Sequence, residues 1–221
     1  MAFATAAGLE RRASTVVRGL ADILTSVSQH IGILPLPFAS AVHDLSSFAW
    51  DSRIHVCELE PPSSIAPYSA AIDADVVVQG DDIASGRLIL LHDPAGNDAW
   101  GGDFRCVTFA QADVSPDMIH DPFLAYVGWS WLMDALHAHR ALFTDESGTI
   151  TTTASTPFGT KQEEQPSSQI EIRASWTPQL DDEHSFTAHL NAWQELLREV
   201  GGLPPGDGPV VRLEPRMVSH R

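Results

Sequence analysis

Residues 87–114 read RLILLHDPAGNDAWGGDFRCVTFAQADV, and the class of fold turns on how this stretch divides. Leu88 to Leu91 are continuously apolar, the pattern of a central strand covered on both faces. Phe104, Cys106 and Thr108 instead alternate with polar neighbours, the pattern of a strand with one face turned inward. Between the two runs stand Gly96, Asn97, Gly101 and Gly102, which tolerate positive φ and allow the chain to reverse. The link is too short for a helical crossover, so the two strands are expected to pair antiparallel as a hairpin.

The same grammar extends outward. RIHVCELE (53–60) and AIDADVVV (71–78) read as two further strands, with PPSSIAPYS (61–69) as a rigid connection and QGDDIASG (79–86) as the link into RLILLHDP. Upstream, Phe38, Ala41, Val42, Leu45, Phe48 and Ala49 mark one face of a helix over 38–51, with Pro37 suited to its first turn and Trp50 at its end. Downstream, SPDMIHDP closes the strand series, and Asp121 before Pro122 starts a helix over 122–142 that is apolar around much of its circumference. Leu124, Val127, Trp131 and Leu132 lie on one broad face, extended by Tyr126, Trp129 and Met133, so this helix is expected to be buried against more than one surface. GTITTTASTPF (148–158) and QIEIRASWTP (169–178) form a second hairpin with one wet side, since Ile170, Ile172, Ala174 and Trp176 alternate with Glu171, Arg173, Ser175 and Thr177. A final amphipathic helix over 183–200 carries Phe186, Leu190, Trp193, Leu197 and Val200 on its inner stripe. The order predicts a single α+β domain, with a mainly antiparallel sheet of about six strands covered by helices over 38–203. Residues 1–37 read as an extension, either loose or a docking helix, and 204–221 as a tail.

Composition narrows the function classes. The 221 residues carry 13 basic against 29 acidic side chains, a formal charge of −16, which is a poor match to a phosphate backbone and argues against nucleic acid. No apolar run approaches the length needed to cross a bilayer, so a soluble protein is expected. Cys57 and Cys106 sit beside apolar residues, as reduced, buried thiols do.

The loop between the central strands concentrates the chemistry. His92, Asp93, Asn97, Asp98, Trp100 and Arg105 are the candidate ligand- or partner-binding residues, because an indole and a guanidinium at a loop tip are typical interface anchors. The residues do not complete a catalytic grammar. His92 and Cys106 could meet across the loop, but no nucleophile elbow occurs, so catalytic residues stay unassigned. Asp93, Asn97, Asp98 and Asp103 lack the spacing of a calcium loop, His137 and His139 face different sides of a helix, and no CxxC pair occurs. No metal is expected, and no glycine fingerprint implies a nucleotide cofactor.

The segments LEPPSSIAPYSAAIDADV, GRLILLHDPAGNDAWGGDFRCVTFAQAD, DPFLAYVGWSWLMDAL and EIRASWTP closely resemble DUF3000, a family of actinobacterial proteins, in the same order over residues 38 to 208. The resemblance implies a soluble cytoplasmic protein of a high-GC Gram-positive bacterium and carries no activity, cofactor or catalytic residue with it. Residues 1–37 look additional to the family region. AWDSRIHVCEL departs from the plainer family pattern there, so Cys57 gains no shared role. The leading expectation is a protein- or small-ligand-binding module, with a regulatory role, whose surface includes the 92–105 loop. The alternatives are an enzyme using acid/base residues of that loop, and a structural protein that self-associates through the 122–142 helix.

Overall fold

A computed structural model describes residues 34–203 other than Ser63 and Asp182. Residues 1–33 of the extension anticipated from the sequence, and the 204–221 tail, lie outside the described residues. Helix α1 (Leu36–Ser47) leads to strands β1 (Ile54–Leu59), β2 (Tyr68–Val78), β3 (Asp81–Asn97) and β4 (Gly102–Asp113). A one-turn helix α2 (Pro116–Ile119) and helix α3 (Leu124–Ala138) follow, then β5 (Phe143–Ser155), β6 (Ser167–Pro178) and helix α4 (Thr187–Val200). All strand pairs are antiparallel, in the order β1-β2-β3-β4-β6-β5. The chain thus leaves β4, passes through two helices to the far edge, and returns as β6 between β4 and β5. This is the α+β sheet expected from the pattern.

Several boundaries move, each for a local reason. QGDDIASG is mostly strand: only Gln79 and Gly80 turn, both at positive φ as in the tight hairpin turns that match strand twist, and β3 resumes at Asp81. β2 begins at Tyr68, inside the stretch read as connection, because Tyr68 pairs with His92. α1 stops at Ser47, leaving Trp50 beyond the helix, where its ring meets Trp193 edge-on at 5.6 Å. SPDMIHDP holds the short α2, capped by the Ser115 hydroxyl, which accepts from the Met118 N–H. Asp121 then caps a turn by accepting from the Phe123 N–H, so α3 starts at Leu124 and ends at Ala138, shorter at both ends than the expected 122–142.

The sheet buries one face under the helices. In the middle of that face Ala74, Gly86 and Ala110 lie side by side on β2, β3 and β4, a trough of small residues that receives Trp193 and Leu197 of α4. Trp193 is fully buried, and its indole N–H donates to the Thr108 hydroxyl at 2.8 Å, which itself donates to the Arg87 carbonyl at 3.0 Å. A Cβ on Gly86 would fall well inside contact distance of Leu197 Cδ2 and lie 3.2 Å from Trp193 and 3.3 Å from the Phe109 carbonyl. Gly86→Val is therefore expected to lower unfolding free energy by about 1–3 kcal/mol in chemical denaturation, the usual cost of overpacking a filled core.

Candidate functional site

The strand register sorts the loop residues onto different sides of the sheet. His92 pairs with Phe104 on the helix-covered face and is 1% exposed. Its ring stacks on Phe104 at 4.1 Å and on Phe38 of α1 at 5.8 Å, with Tyr68 tilted against it at 6.0 Å. Nδ1 lies 3.1 Å from the Asp103 carbonyl and so carries the proton it donates there, with the Asp103 carboxylate 3.9 Å away. Nε2 is buried with no hydrogen-bond partner among the described residues. An imidazole in this position is walled by aromatic rings and presents no nitrogen to a solvent-borne substrate.

The hairpin itself consumes most of the loop. Asp93 accepts from the Ala95 N–H and Asn97 from the Ala99 N–H, two side-chain turns of the kind these residues favour. The Asn97 carbonyl also accepts from the Trp100 and Gly101 N–H groups, and Gly96 and Gly101 supply positive φ. Asp98 is exposed at the tip, and Trp100 is half-buried. Arg105 points to the opposite face from His92. Its guanidinium donates to the Asp145 carbonyl at 2.8 Å, to the hydroxyls of Thr177 and Ser147 at 3.0 and 3.2 Å, and to that of Ser175 at 2.7 Å. The Thr177 hydroxyl passes the link on by donating to the Trp100 carbonyl. Arg105 thus braces the register shift between Thr144 and Ser147 of β5, where Asp145 sits at positive φ, and burial draws its pKa down. The structure brings Trp100 and Arg105 together through Thr177, places His92 on the opposite face, and leaves Asp98 exposed at the tip.

A second constellation lies on the face that the described helices leave uncovered, beside Arg105. Across the sheet, Asp73, Arg87, Phe109, Arg173 and Thr149 form one transverse row, and Ala71, Ile89, Val107, Ser175 and Ser147 the next. These rows line a shallow concavity of about 480 Å³, with Ile89, Val107 and Phe109 in its floor and Arg87, Arg173, Ser147, Thr149 and Ser175 around them. The size falls within the range of small-ligand sites. Arg87 makes a two-point bond to Asp73 at 2.7 and 3.0 Å. Arg173 pairs with Glu171 and holds its guanidinium 5.5 Å from the Phe109 ring centre. The face therefore offers an apolar floor and fixed donors without net positive charge. The sequence carried this set as the odd-numbered positions of RLILL and VTFAQ, legible only once the even-numbered ones are known to face the helices.

Neither thiol suits nucleophilic chemistry. Burial pushes the pKa of Cys106 far up, while Cys57, expected to be buried, is exposed opposite Asp73 on β1, with burial and then the Asp73 and Asp75 charges raising its pKa. Among the described residues no group of three or more His, Cys, Asp or Glu side chains is placed to hold a metal ion, and no helix is long and apolar enough to cross a membrane.

The family model described as a protein of unknown function, DUF3000, matches residues 34–210. The chain belongs to the DUF3000 family. The match takes in every helix and strand of the described structure, so the whole sheet with its uncovered face is the family's domain. No curated protein and no solved structure matches the chain.

Proposed function

We propose that this DUF3000 chain is a cytoplasmic binding module that engages a protein or small ligand on the uncovered sheet face, with the 92–105 hairpin at its rim. The observation that carries this reading is the concavity over Ile89, Val107 and Phe109, ringed by Arg87, Arg173 and three hydroxyls. Both arginines are already paired with carboxylates, so the surface suits a mixed polar and apolar ligand, such as a protein segment, better than a polyanion. The acid/base alternative has weaker support, because His92, the one histidine of the loop, is enclosed by aromatic rings.

Partners recovered from the native host with the wild-type chain, and small ligands found by thermal-shift screening, provide the test. Phe109→Ala combined with Arg173→Ala is expected to weaken their binding about tenfold or more, the scale set by loss of an interface anchor. Trp100→Ala and Asp98→Ala report on the hairpin rim. Unchanged binding in all these variants, with far-ultraviolet circular dichroism intact, would remove the face and the loop from the reading.

A further inference from the structure

We propose that two copies of this chain associate through β5, with the strands running antiparallel about a twofold axis and α3 of each copy packing beside the joint.

β5 is an edge of the sheet, 13 residues long, and only Phe143 and Ile150 along it are more than superficially covered. Among the described residues no strand pairs with its outer side, so alternate N–H and C=O groups face outward with their hydrogen-bonding capacity unused. The devices that usually blunt such an edge are missing from its second half. Gly148 to Ser155, GTITTTAS, contains no charge and no proline, and threonine and isoleucine favour extended pairing. The opposite edge, β1, has only six residues, and these include Glu58 and His55.

The helix above the edge is exposed in the same place. α3 crosses β5 where Gly128 lies against Ile150 and Trp129 against Gly148. Tyr126 and Phe123 stand three and six residues before Trp129 on the same ridge of the helix, with their rings 6.5 Å apart. They are 75% and 65% exposed, and Val127 beside them is 40% exposed. This corrects the expectation that α3 is covered on several sides: the inner face, Leu124, Gly128, Leu132, Ala135 and Leu136, is buried, and Phe123, Tyr126 and Val127 are bare.

The occupant is fixed by the edge's own chemistry. An antiparallel pair about a twofold axis is self-complementary, so each strand satisfies the other with the same groups. Two chains each carrying −16 repel, and the charge-free half of β5, Gly148 to Ser155, is where they approach with least repulsion. Two aromatic rings per copy supply several hundred Å² of apolar contact, at about 150–250 Å² for each ring fully covered. The paired strands and Val127 supply most of the remainder of the roughly 1,200–2,000 Å² that a stable interface buries.

Light scattering and hydrogen exchange on the full-length chain test the proposal. The wild type is expected at twice 24.0 kDa across the micromolar range, with alternate amides of 148–155 protected beyond those that bond β6. Tyr126→Glu and, separately, Thr151→Lys are expected to return the mass to 24.0 kDa and to release those amides while circular dichroism stays unchanged. Both side chains are exposed, so neither substitution disturbs the core. A monomeric wild type would overturn the proposal, whether its β5 amides exchange freely or are covered by another segment of the same chain. A dimer that survives both substitutions would overturn it equally. Neither readout measures ligand binding on the uncovered sheet face, so failure here leaves the binding reading to its own test.

Discussion

Asp51→Ala is expected to cost about 1–3 kcal/mol of unfolding free energy, the usual penalty for taking the acceptor away from buried donors. Asp51 lies in the turn between α1 and β1, and its carboxylate binds two arginines. Arg53 donates from its backbone N–H and Nε, each at 3.0 Å, and from Nη2 at 2.7 Å, while Arg198 of α4 donates from Nη1. The Arg198 side chain is only 6% exposed, and removing the carboxylate takes the acceptor from its Nη1 while leaving the Glu195 carboxylate 3.6 Å from its Nε. The Asp51 N–H also donates to Gln194 Oε1 at 2.7 Å, which makes this turn the clasp between the first helix and the last. Urea denaturation of Asp51→Ala, Arg198→Met and the double variant measures the effect. The double variant is expected to be less damaged than Asp51→Ala alone, because no buried guanidinium is left an acceptor short. The hydrogen bonds from Arg53, opposed by burial, hold the Asp51 carboxyl well below its usual 3.8. A depressed carboxyl contributes its full stabilisation above 3.8 and loses it as pH falls below that value, so part of the acid denaturation should disappear in Asp51→Asn.

The second large effect also lies on the acid side of neutrality, at higher pH than that of Asp51. His189 of α4 is 1% exposed, and its Nδ1 accepts the indole N–H of the fully buried Trp176 at 3.1 Å. Burial lowers its pKa from 6.5 to about 4, opposed by a hydrogen bond to the Leu142 backbone. Between these values the unfolded chain binds a proton that the folded one refuses, so stability is complete above 6.5 and declines as the solution is acidified towards 4. At about 1.4 kcal/mol per pH unit, the full decline comes to about 3 kcal/mol. Unfolding free energies measured at intervals through this range should show that slope in the wild type. His189→Gln, whose amide oxygen can still accept from the indole, should flatten it while keeping most of the stability at neutral pH.

Much of this architecture was legible because burial leaves a period in the sequence. Ile170, Ile172, Ala174 and Trp176 alternate, and all four are buried. The helix stripe Phe186, Leu190, Trp193, Leu197 likewise goes wholly into the core. What the period cannot carry is long-range register. QGDDIASG looks like a link because its side chains are small or acidic, yet Ala84 and Gly86 are inward positions whose smallness makes room for α4. The separation of the loop residues follows the same logic. His92 pairs with Phe104 and Arg105 is the next residue along β4, so the two occupy opposite faces, although the polar stretch between them suggests one cluster. Arg105 could be recognised as a brace only after β6 was placed beside β4, some seventy residues away in sequence. α3 misled for a different reason: aromatic residues normally mark the inside, and here Phe123 and Tyr126 are outside.

The return of β6 between β4 and β5 also has a kinetic consequence. Strands β1 to β4 are joined in sequence order and need only local turns, and the β5–β6 hairpin is likewise local. The β4–β6 ladder, by contrast, joins Cys106 to Trp176 and Asp113 to Gln169 across two helices and a strand. Its loop-closure entropy must be met before its contacts form, which places this seam late on the folding route and makes docking of the two halves the slow step. Trp176 lies on that seam and Trp193 beneath it, so indole fluorescence follows the step at which the sheet becomes continuous.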